Sequence, residues 1–512
     1  MSETRDLLIE IGTEELPPLA LRRLAEAFRR GLDRLRTEHH LEHGESLAWA
    51  SPRRLAVQVA GVPLSQPDRE VVRRGPNMIA AFDDDGNPTK PAEGFARSCG
   101  VAVADLDQLE TDKGSFLAYR AVETGKPAGD VIPGLVEQAL KALPVPKRLR
   151  WGDSDVEFVR PVHWVLLLHG MDILPAEILG VRTDRYSRGH RFHCNEPIDV
   201  SEPAAYVETL KEKGHVLADM DARRDAIHDA VLAAGRSLGG SAHIETGLLE
   251  EVTALVEWPV VISGGFDKRF LEVPSEALVS SMQDHQKFFP VMDESGTLMP
   301  HFITVANIES REPQQVRAGN ERVIRPRLED ASFFWNQDRR QTLASRATQL
   351  DNVTFQQKLG SLGDKQARIA RIATEIATAV GSDTGHVQRA AAICKCDLLT
   401  SMVYEFPELQ GIMGRYYASH DGEDIEVAAA MDEQYQPRFA GDDLPTTLTG
   451  QALAIADRID TLVGIFAIGQ SPTGDKDPFG LRRAALGVVR ILIERELDLD
   501  LHSLIAVAAT GF

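Results

Sequence analysis

The chain has 512 residues, 43% hydrophobic and 26% charged, with a formal net charge of −21. That length calls for more than one hydrophobic core, and no apolar run approaches the ~20 residues that span a bilayer. The acidic balance excludes overall charge as a means of holding nucleic acid, so any RNA contact must rest on local basic patches. The N-terminus, MSETRDLLIEIG, lacks a basic region followed by a long apolar core, which makes the cytoplasm the default compartment. Four cysteines (Cys99, Cys194, Cys394, Cys396) with no CxxC pair are expected to be reduced, buried thiols.

In chain order, Leu7, Ile9 and Ile11 alternate with Leu8 and Glu10 in a short strand. Gly12 to Pro18 turn the chain, and Pro17 and Pro18 suit a helix start. Leu21, Leu24, Phe28, Leu32 and Leu35 then make the apolar stripe of a helix. Glu14 and Glu15, near its start, read as partners of the helix dipole rather than as a catalytic carboxylate pair. Leu55, Val57 and Val59 form another strand, Phe82 to Pro91 a polar turn, and Ala128 to Leu143 a helix ended by Pro144 and Pro146. Lys147, Arg148 and Arg150, beside Trp151, form a cluster suited to phosphate contact, of a kind also common on ordinary surfaces.

Phe158 to His169 (FVRPVHWVLLLH) reads as a buried strand interrupted early by Pro161. In RGHRFHC (Arg188 to Cys194), His190, His193 and Cys194 are all metal-capable, but no further ligand at suitable spacing completes a site. A structural or RNA-facing loop is therefore favoured, and no metal ligand is assigned. Ala204 to Gly214 and Asp219 to Ala234 read as helices, Val256 to Gly264 as a strand cut by Pro259, and Pro274 to Met282 as a helix. Asp284 beside His285 has no associated nucleophile, so no catalytic residue is assigned there.

Gly319 to Asp338 (GNERVIRPRLEDASFFWNQD) divides the chain, with mixed and often period-two patterns before it and helical patterns after it. It reads as an amphipathic helix with Val323, Leu328, Ala331, Phe334 and Trp335 on the apolar face, and Pro326 predicts a kink or a start inside it. Arg322, Arg325 and Arg327 are candidates for contact with a partner chain or RNA. Further helices are expected over Phe355 to Val380, Val387 to Phe406, Val427 to Met431 and Leu448 to Ile468. Asp421, Glu423, Asp424, Glu426, Asp432, Glu433, Asp442 and Asp443 crowd a region read as a solvated face.

GNERVIRPRLEDASFFW resembles the signature of the β subunit of bacterial tetrameric glycyl-tRNA synthetase. LLIEIGTEELPP (Leu7 to Pro18), SPRRLAV (Ser51 to Val57), RGHRFH (Arg188 to His193), EFPELQGIMGRYYA (Glu405 to Ala418) and DPFGLRRAALGVVRI (Asp477 to Ile491) agree with it in order along the chain. The resemblance implies a multidomain α+β fold. Mixed α/β N-terminal modules, one of them similar to the B3/B4 domain of phenylalanyl-tRNA synthetase, precede a mostly α-helical, HD-like half. The expected divisions are an α/β module over 1–150, the B3/B4-like module over 151–318, a helical linker over 319–360, an HD-like domain over 361–470 and the start of a C-terminal helical body over 471–512. Family members continue into an anticodon-binding domain, and LHSLIAVAATGF stops within apolar helical material, so the chain is expected to be C-terminally truncated.

The resemblance further implies an α2β2 assembly in which the α subunit is the class II catalytic chain, with ATP and magnesium bound there, and the β subunit contributes tRNA recognition. This chain is thus expected to carry no catalytic residue and no cofactor of its own. Its expected partners are the α subunit and tRNA(Gly), not DNA or a membrane, with Lys147, Arg148, Arg150, Arg188 and Arg191 as candidate tRNA contacts. The sequence agrees in lacking a GxxxxGK[ST] loop, a GxGxxG turn, a GxSxG elbow and HIGH-like or KMSKS-like motifs. An HD phosphohydrolase needs a spaced His, His-Asp and Asp set to hold its metal. Cys396 and Asp397 with Asp457, or His420 with Asp421, are incomplete sets, so a degenerate scaffold is expected. A metal-dependent phosphohydrolase and a stand-alone RNA-binding module are the alternatives.

Overall fold

The alternation of the first strand buries both of its faces. In β1 (Thr4–Thr13), Leu7, Ile9 and Ile11 face one way and Leu8 and Glu10 the other, and all five are buried. The structure is a computed structural model and describes residues 3–41, 44–83, 86–112 and 114–512. It places β1 inside a seven-stranded sheet that also contains β2 (Ser46–Ser51), β3 (Arg54–Pro63) and β4 (Val162–His169). β1 pairs antiparallel with β3 on one side, which in turn pairs with β2, and antiparallel with β4 on the other. Val181–Asp184 extends the sheet beyond β4 as a parallel neighbour.

Helices α1 (Leu21–Glu38) and α2 (Ala128–Lys141) cover the Leu7, Ile9 and Ile11 face, α1 with its expected stripe of Leu21, Leu24, Phe28, Leu32 and Leu35. Leu8, Ala56, Leu166 and Leu168 on the opposite face pack against Ile198, Val200, Tyr206 and Leu210. Each apolar side chain so enclosed contributes about 1.5–3 kcal/mol. The sheet takes strands from both sides of the expected 150/151 division, because the second edge of β1 pairs with β4. Arg69–Asn77, Gly114–Glu123 and Asp107–Thr111 form a separate three-stranded antiparallel sheet. Asp84 and Asp85 of the expected turn lie outside the described residues.

The chain falls into two compact units. The first comprises Met1–Ala234, Ile244–Ile262 and Val305–Pro313, and the second Gly235–His243, Ser263–Thr304 and Gln314–Phe512. Together they make a multidomain α+β molecule with a mostly helical second half. No helix among the described residues is long and apolar enough to cross a membrane.

The dividing stretch lies in one helix, α3 (Pro313–Asp338), which runs through Pro326. Both Pro326 and Arg322 are exposed, so the carbonyl that loses its N–H partner lies on the water side. Its buried positions are Ile324, Leu328, Ala331, Trp335 and Asp338, at spacings of four and three. Leu328, Ala331 and Trp335 are buried as expected and Phe334 packs partly buried on the same core, but at the start of the face Ile324 is inside and Val323 is 51% exposed.

Helices α4 (Leu362–Val380), α5 (Thr384–Ile393), α6 (Ile412–His420), α7 (Ile425–Glu433), α8 (Leu448–Ala467) and α9 (Leu481–Glu494) follow. Phe355 lies not in α4 but in a short hairpin, Thr354–Gln356 with Gly360–Ser361. α4 starts later because Ser361 and Asp364 form a capping box. The single helix expected from Val387 to Phe406 is broken, with a 3₁₀ turn at Cys396–Leu399 and a new helix at Ser401–Glu405. Thr400 donates to the Asp397 carbonyl and caps the new helix at Val403, while the buried Asp338 carboxylate accepts from the Ser401 and Met402 N–H groups, both at 2.9 Å.

Candidate nucleic-acid interface

Four of the stretches quoted above meet in the first unit around a cleft of about 530 Å³. It is lined by Glu14, Arg53, His163, Trp164, Arg188, Gly189, Arg191, Cys194 and Asn195. Beneath it lies a fully enclosed charge network. Arg54 donates to Ser51 at 2.8 Å, to the Arg188 carbonyl at 2.8 Å and to Glu257 at 3.2 Å, and its guanidinium stands 3.7 Å from Glu10. Ser187 and the Trp164 indole N–H donate to Glu10, and Ser51 donates to Glu257. Arg54 and Glu10 have no solvent exposure. Burial disfavours the Arg54 cation, but Glu257 and Glu10 outweigh it and hold the guanidinium more firmly protonated than usual.

Glu14, at the turn after β1, joins Arg191 at 2.8 Å and His163 at 2.9 Å. Burial works to raise the Glu14 carboxyl, but the bonds from Arg191 and His163 prevail and lower it. Arg53 and Arg54 both lie over the Trp164 ring, at 5.6 and 5.8 Å. The Arg53 guanidinium is lowered chiefly by burial, with Glu257 opposing and the nearby Arg191 and Arg54 cations adding to it, and its buried Nε has no hydrogen-bond partner. The sequence reading passed over Arg53, Trp164, Glu10 and Glu257. One signal was present: Glu10 shares a strand face with Leu8, and a carboxylate on an apolar face needs a buried partner.

The candidate arginines differ in what already holds them. Arg148 donates to the Lys141 carbonyl at 2.7 Å, completing the end of α2, and Arg150 is paired with Asp155 at 3.1 Å and Glu157 at 3.0 Å. Lys147 is exposed. Arg191 is held by Glu14, whereas the exposed Arg188 side chain has no recorded partner among the described residues. In the second unit, Arg322, Arg325 and Arg327 are exposed on α3 and likewise unpaired among the described residues, with the 62% exposed Phe333 on the same helix.

A family model described as glycyl-tRNA synthetase beta subunit matches residues 7–512. This chain belongs to the glycyl-tRNA synthetase β-subunit family. It is 56% identical to the glycine–tRNA ligase beta subunit of Chromohalobacter salexigens over 503 residues, 98% of this chain and 73% of that protein. It is 54% identical to the corresponding protein of Marinobacter nauticus, over 99% of this chain and 74% of the relative. With that of Pectobacterium atrosepticum it shares 53% identity over 98% of the chain and 73% of the relative.

In this family member the residues weighed for metal chemistry have other partners. Asp457 is clamped between Lys365 at 2.8 Å and Lys395 at 3.0 Å. Burial would raise its carboxyl, but the two ammonium groups hold it well below the usual range. Asp397 accepts from the Gly411 N–H at 2.6 Å, and Asp421 from that of Leu343 at 2.7 Å. Cys396 is a buried thiol pushed up to about 12 by burial. This donor set does not fit an HD metal centre, and no group of three His, Cys, Asp or Glu among the described residues has metal-holding geometry. His190 and His193 pack at 4.7 Å and His193 and His215 at 5.1 Å, both pairs tilted, and Trp258 meets His215 edge-on at 5.2 Å. Burial lowers the His193 imidazole, as do its two histidine neighbours.

Proposed function

We propose that this chain is the tRNA-engaging β subunit of a two-component glycine–tRNA ligase, which attaches glycine to tRNA(Gly) at the expense of ATP. In this reading the adenylation site, with ATP and magnesium, belongs to an α subunit, the assembly is α2β2, and the complex works in the cytoplasm. The α-helical second half is then a degenerate HD-like scaffold rather than a phosphohydrolase. The match to the β-subunit family over residues 7–512 carries the assignment. The unpaired Arg322, Arg325 and Arg327 support α3 as an RNA-facing element, since phosphate contact needs cations not already neutralised within the protein. Arg188 and, after exchange of its carboxylate partner, Arg191 remain contacts in this reading. Lys147, Arg148 and Arg150 rank below them because two of the three are already engaged.

The test is tRNA affinity against salt for the complex with a catalytic α chain. Arg322→Ala with Arg325→Ala and Arg327→Ala is expected to weaken binding and to lower the salt slope by about two to three, roughly one counterion per phosphate contact. Arg148→Ala with Arg150→Ala is expected to change the slope by less than about one. An unchanged slope in the α3 triple variant would remove that helix from the interface.

A further inference from the structure

The cleft in the first unit has an electrostatic asymmetry that the charge of the whole chain conceals. Among its lining residues are three arginines and a single carboxylate, in a molecule whose formal charge is −21. The arginines come from separate segments: Arg53 from the turn before β3, Arg188 and Arg191 from the strand end and loop beyond β4. Glu14 occupies only Arg191 and His163. The Arg188 side chain has no recorded partner among the described residues, and the buried Arg53 Nε has none. A buried guanidinium N–H without an acceptor is costly, and neighbouring cations add to that cost.

The walls are built for close approach. A Cβ on Gly189 would lie 2.6 Å from the Cys194 Cβ and 2.9 Å from the Gly214 carbonyl, so the loop closes this tightly only with glycine. A Cβ on Gly12 would lie 1.9 Å from the Trp164 ring, so β1 has no room for a side chain beneath the indole. The floor cannot shift easily, because Trp164 is bonded to Glu10 and Arg54 is bonded to the Arg188 carbonyl. Arg53 and the Arg188 backbone are thereby held on a rigid base, the usual condition for pre-organised anion recognition.

We propose that this cleft binds a phosphate group, carried either by an RNA strand or by a free nucleotide. Phosphate offers enough acceptor oxygens for the unpaired donors of Arg53 and Arg188 together, and guanidinium groups meet it with two parallel N–H bonds. Glu14 is the main competitor: its carboxylate bonds Arg191 at 2.8 Å, with the exposed Glu15 further off at 3.8 Å, and an incoming phosphate exchanges with it. The RNA source rests on the tRNA-engaging reading above, whereas the free-nucleotide source does not.

Calorimetric titration of the full chain tests this at ~50 mM salt, where screening is weak. The probes are inorganic phosphate, AMP and a short single-stranded RNA with and without a 5′-phosphate. Arg188→Ala is expected to weaken binding at least tenfold and Arg53→Met by a similar factor, the loss typical of charge-assisted bonds. Glu14→Gln is expected to strengthen binding about threefold or more, because a competing anion is removed. Arg188 is exposed, so that variant reports on the site even if Arg53→Met perturbs folding. AMP binding tighter than either RNA assigns a free nucleotide, RNA binding that needs the 5′-phosphate assigns a strand end, and RNA binding without it assigns the backbone; all three support the site. Failure of every probe to bind below ~10 mM, or binding unchanged in Arg188→Ala, overturns it. Such a failure leaves the tRNA reading intact if the α3 variants still change tRNA affinity in the complex.

Discussion

Removing the cation at the centre of the buried network is the sharpest test of how the first unit is held together. In Arg54→Met, a side chain of similar length leaves Glu10 and Glu257 enclosed without their shared counter-charge. At the observed separations of 3.2 Å and 3.7 Å, an effective dielectric constant near 20 gives attractions of about 5 and about 4.5 kcal/mol. The several kcal/mol needed to desolvate Arg54 itself, recovered in the variant, offsets about half of that sum. The remainder, about 4 kcal/mol, is the usual cost of leaving buried carboxylates unpaired. Hydrogen exchange of β1 and β4 peptides reads this locally: about 4 kcal/mol corresponds to roughly a thousandfold loss of protection. Adding Glu10→Gln and Glu257→Gln to Arg54→Met is expected to restore most of it, because neither carboxylate is then left enclosed without its cation, and the buried Arg223 keeps its bonds to the Thr253, Leu217 and Ala50 carbonyls. A loss of protection below about threefold in the single variant would show that the network is not coupled as its geometry requires.

The Asp397 carboxyl is raised by burial to about 6, against the opposing effects of the Gly411 N–H and Lys395. Its folded value thus lies above the unfolded value of 3.8, so the folded state binds more protons and stability falls as pH rises from about 4 through about 6. That difference is worth about 3 kcal/mol above pH 6. Asp397→Asn is therefore expected to gain on the parent protein by up to about that amount between pH 4 and pH 8 in urea unfolding, and a pH-independent difference refutes the account. Gly12→Ala drives a methyl group into the Trp164 ring and is expected to cost about 1–3 kcal/mol, with loss of the near-ultraviolet dichroism of that indole. Stability and spectrum both unchanged would show that β1 has room at this position.

What the sequence revealed about the fold follows from how local each signal is. The period-two alternation of Leu7 to Ile11 and the stripe from Leu21 to Leu35 are properties of one segment, and both appear as expected. The helix break at Cys394 to Thr400 was not legible, because it depends on Thr400 capping a new turn and on Asp338, 63 residues earlier, receiving the Ser401 N–H. Along α3 the expectation holds at Leu328, Ala331 and Trp335 and fails at Val323 for a related reason: Val323 and Ile324 are equally apolar, and only tertiary packing decides between them. At the candidate interface, the basic residues could be found by type but not by availability. Arg150 and Arg322 look alike in sequence, and the distinction lies in Asp155 and Glu157 standing beside one and no recorded partner beside the other.

That distinction orders the cations of the whole chain by function. Arg54, Lys365 and Arg368 are buried and matched to carboxylates, with Lys365 and Arg368 sharing Asp460 at 3.1 Å and 2.6 Å. Such groups hold segments distant in sequence at fixed geometry, and their charge does not reach solvent. Arg322, Arg325 and Arg327 lie in water, where a polyanion gains by meeting them and releasing counterions. Arg53 belongs to neither set, since it is half-buried yet lacks an acceptor at Nε. Unpaired buried N–H groups also occur on Arg36, Arg185, Arg339 and Arg346, but Arg53 is the one of these that lines the cleft, where a ligand can supply the acceptor. In a chain of charge −21, a partner for such cations must be recognised at the few places where they are free.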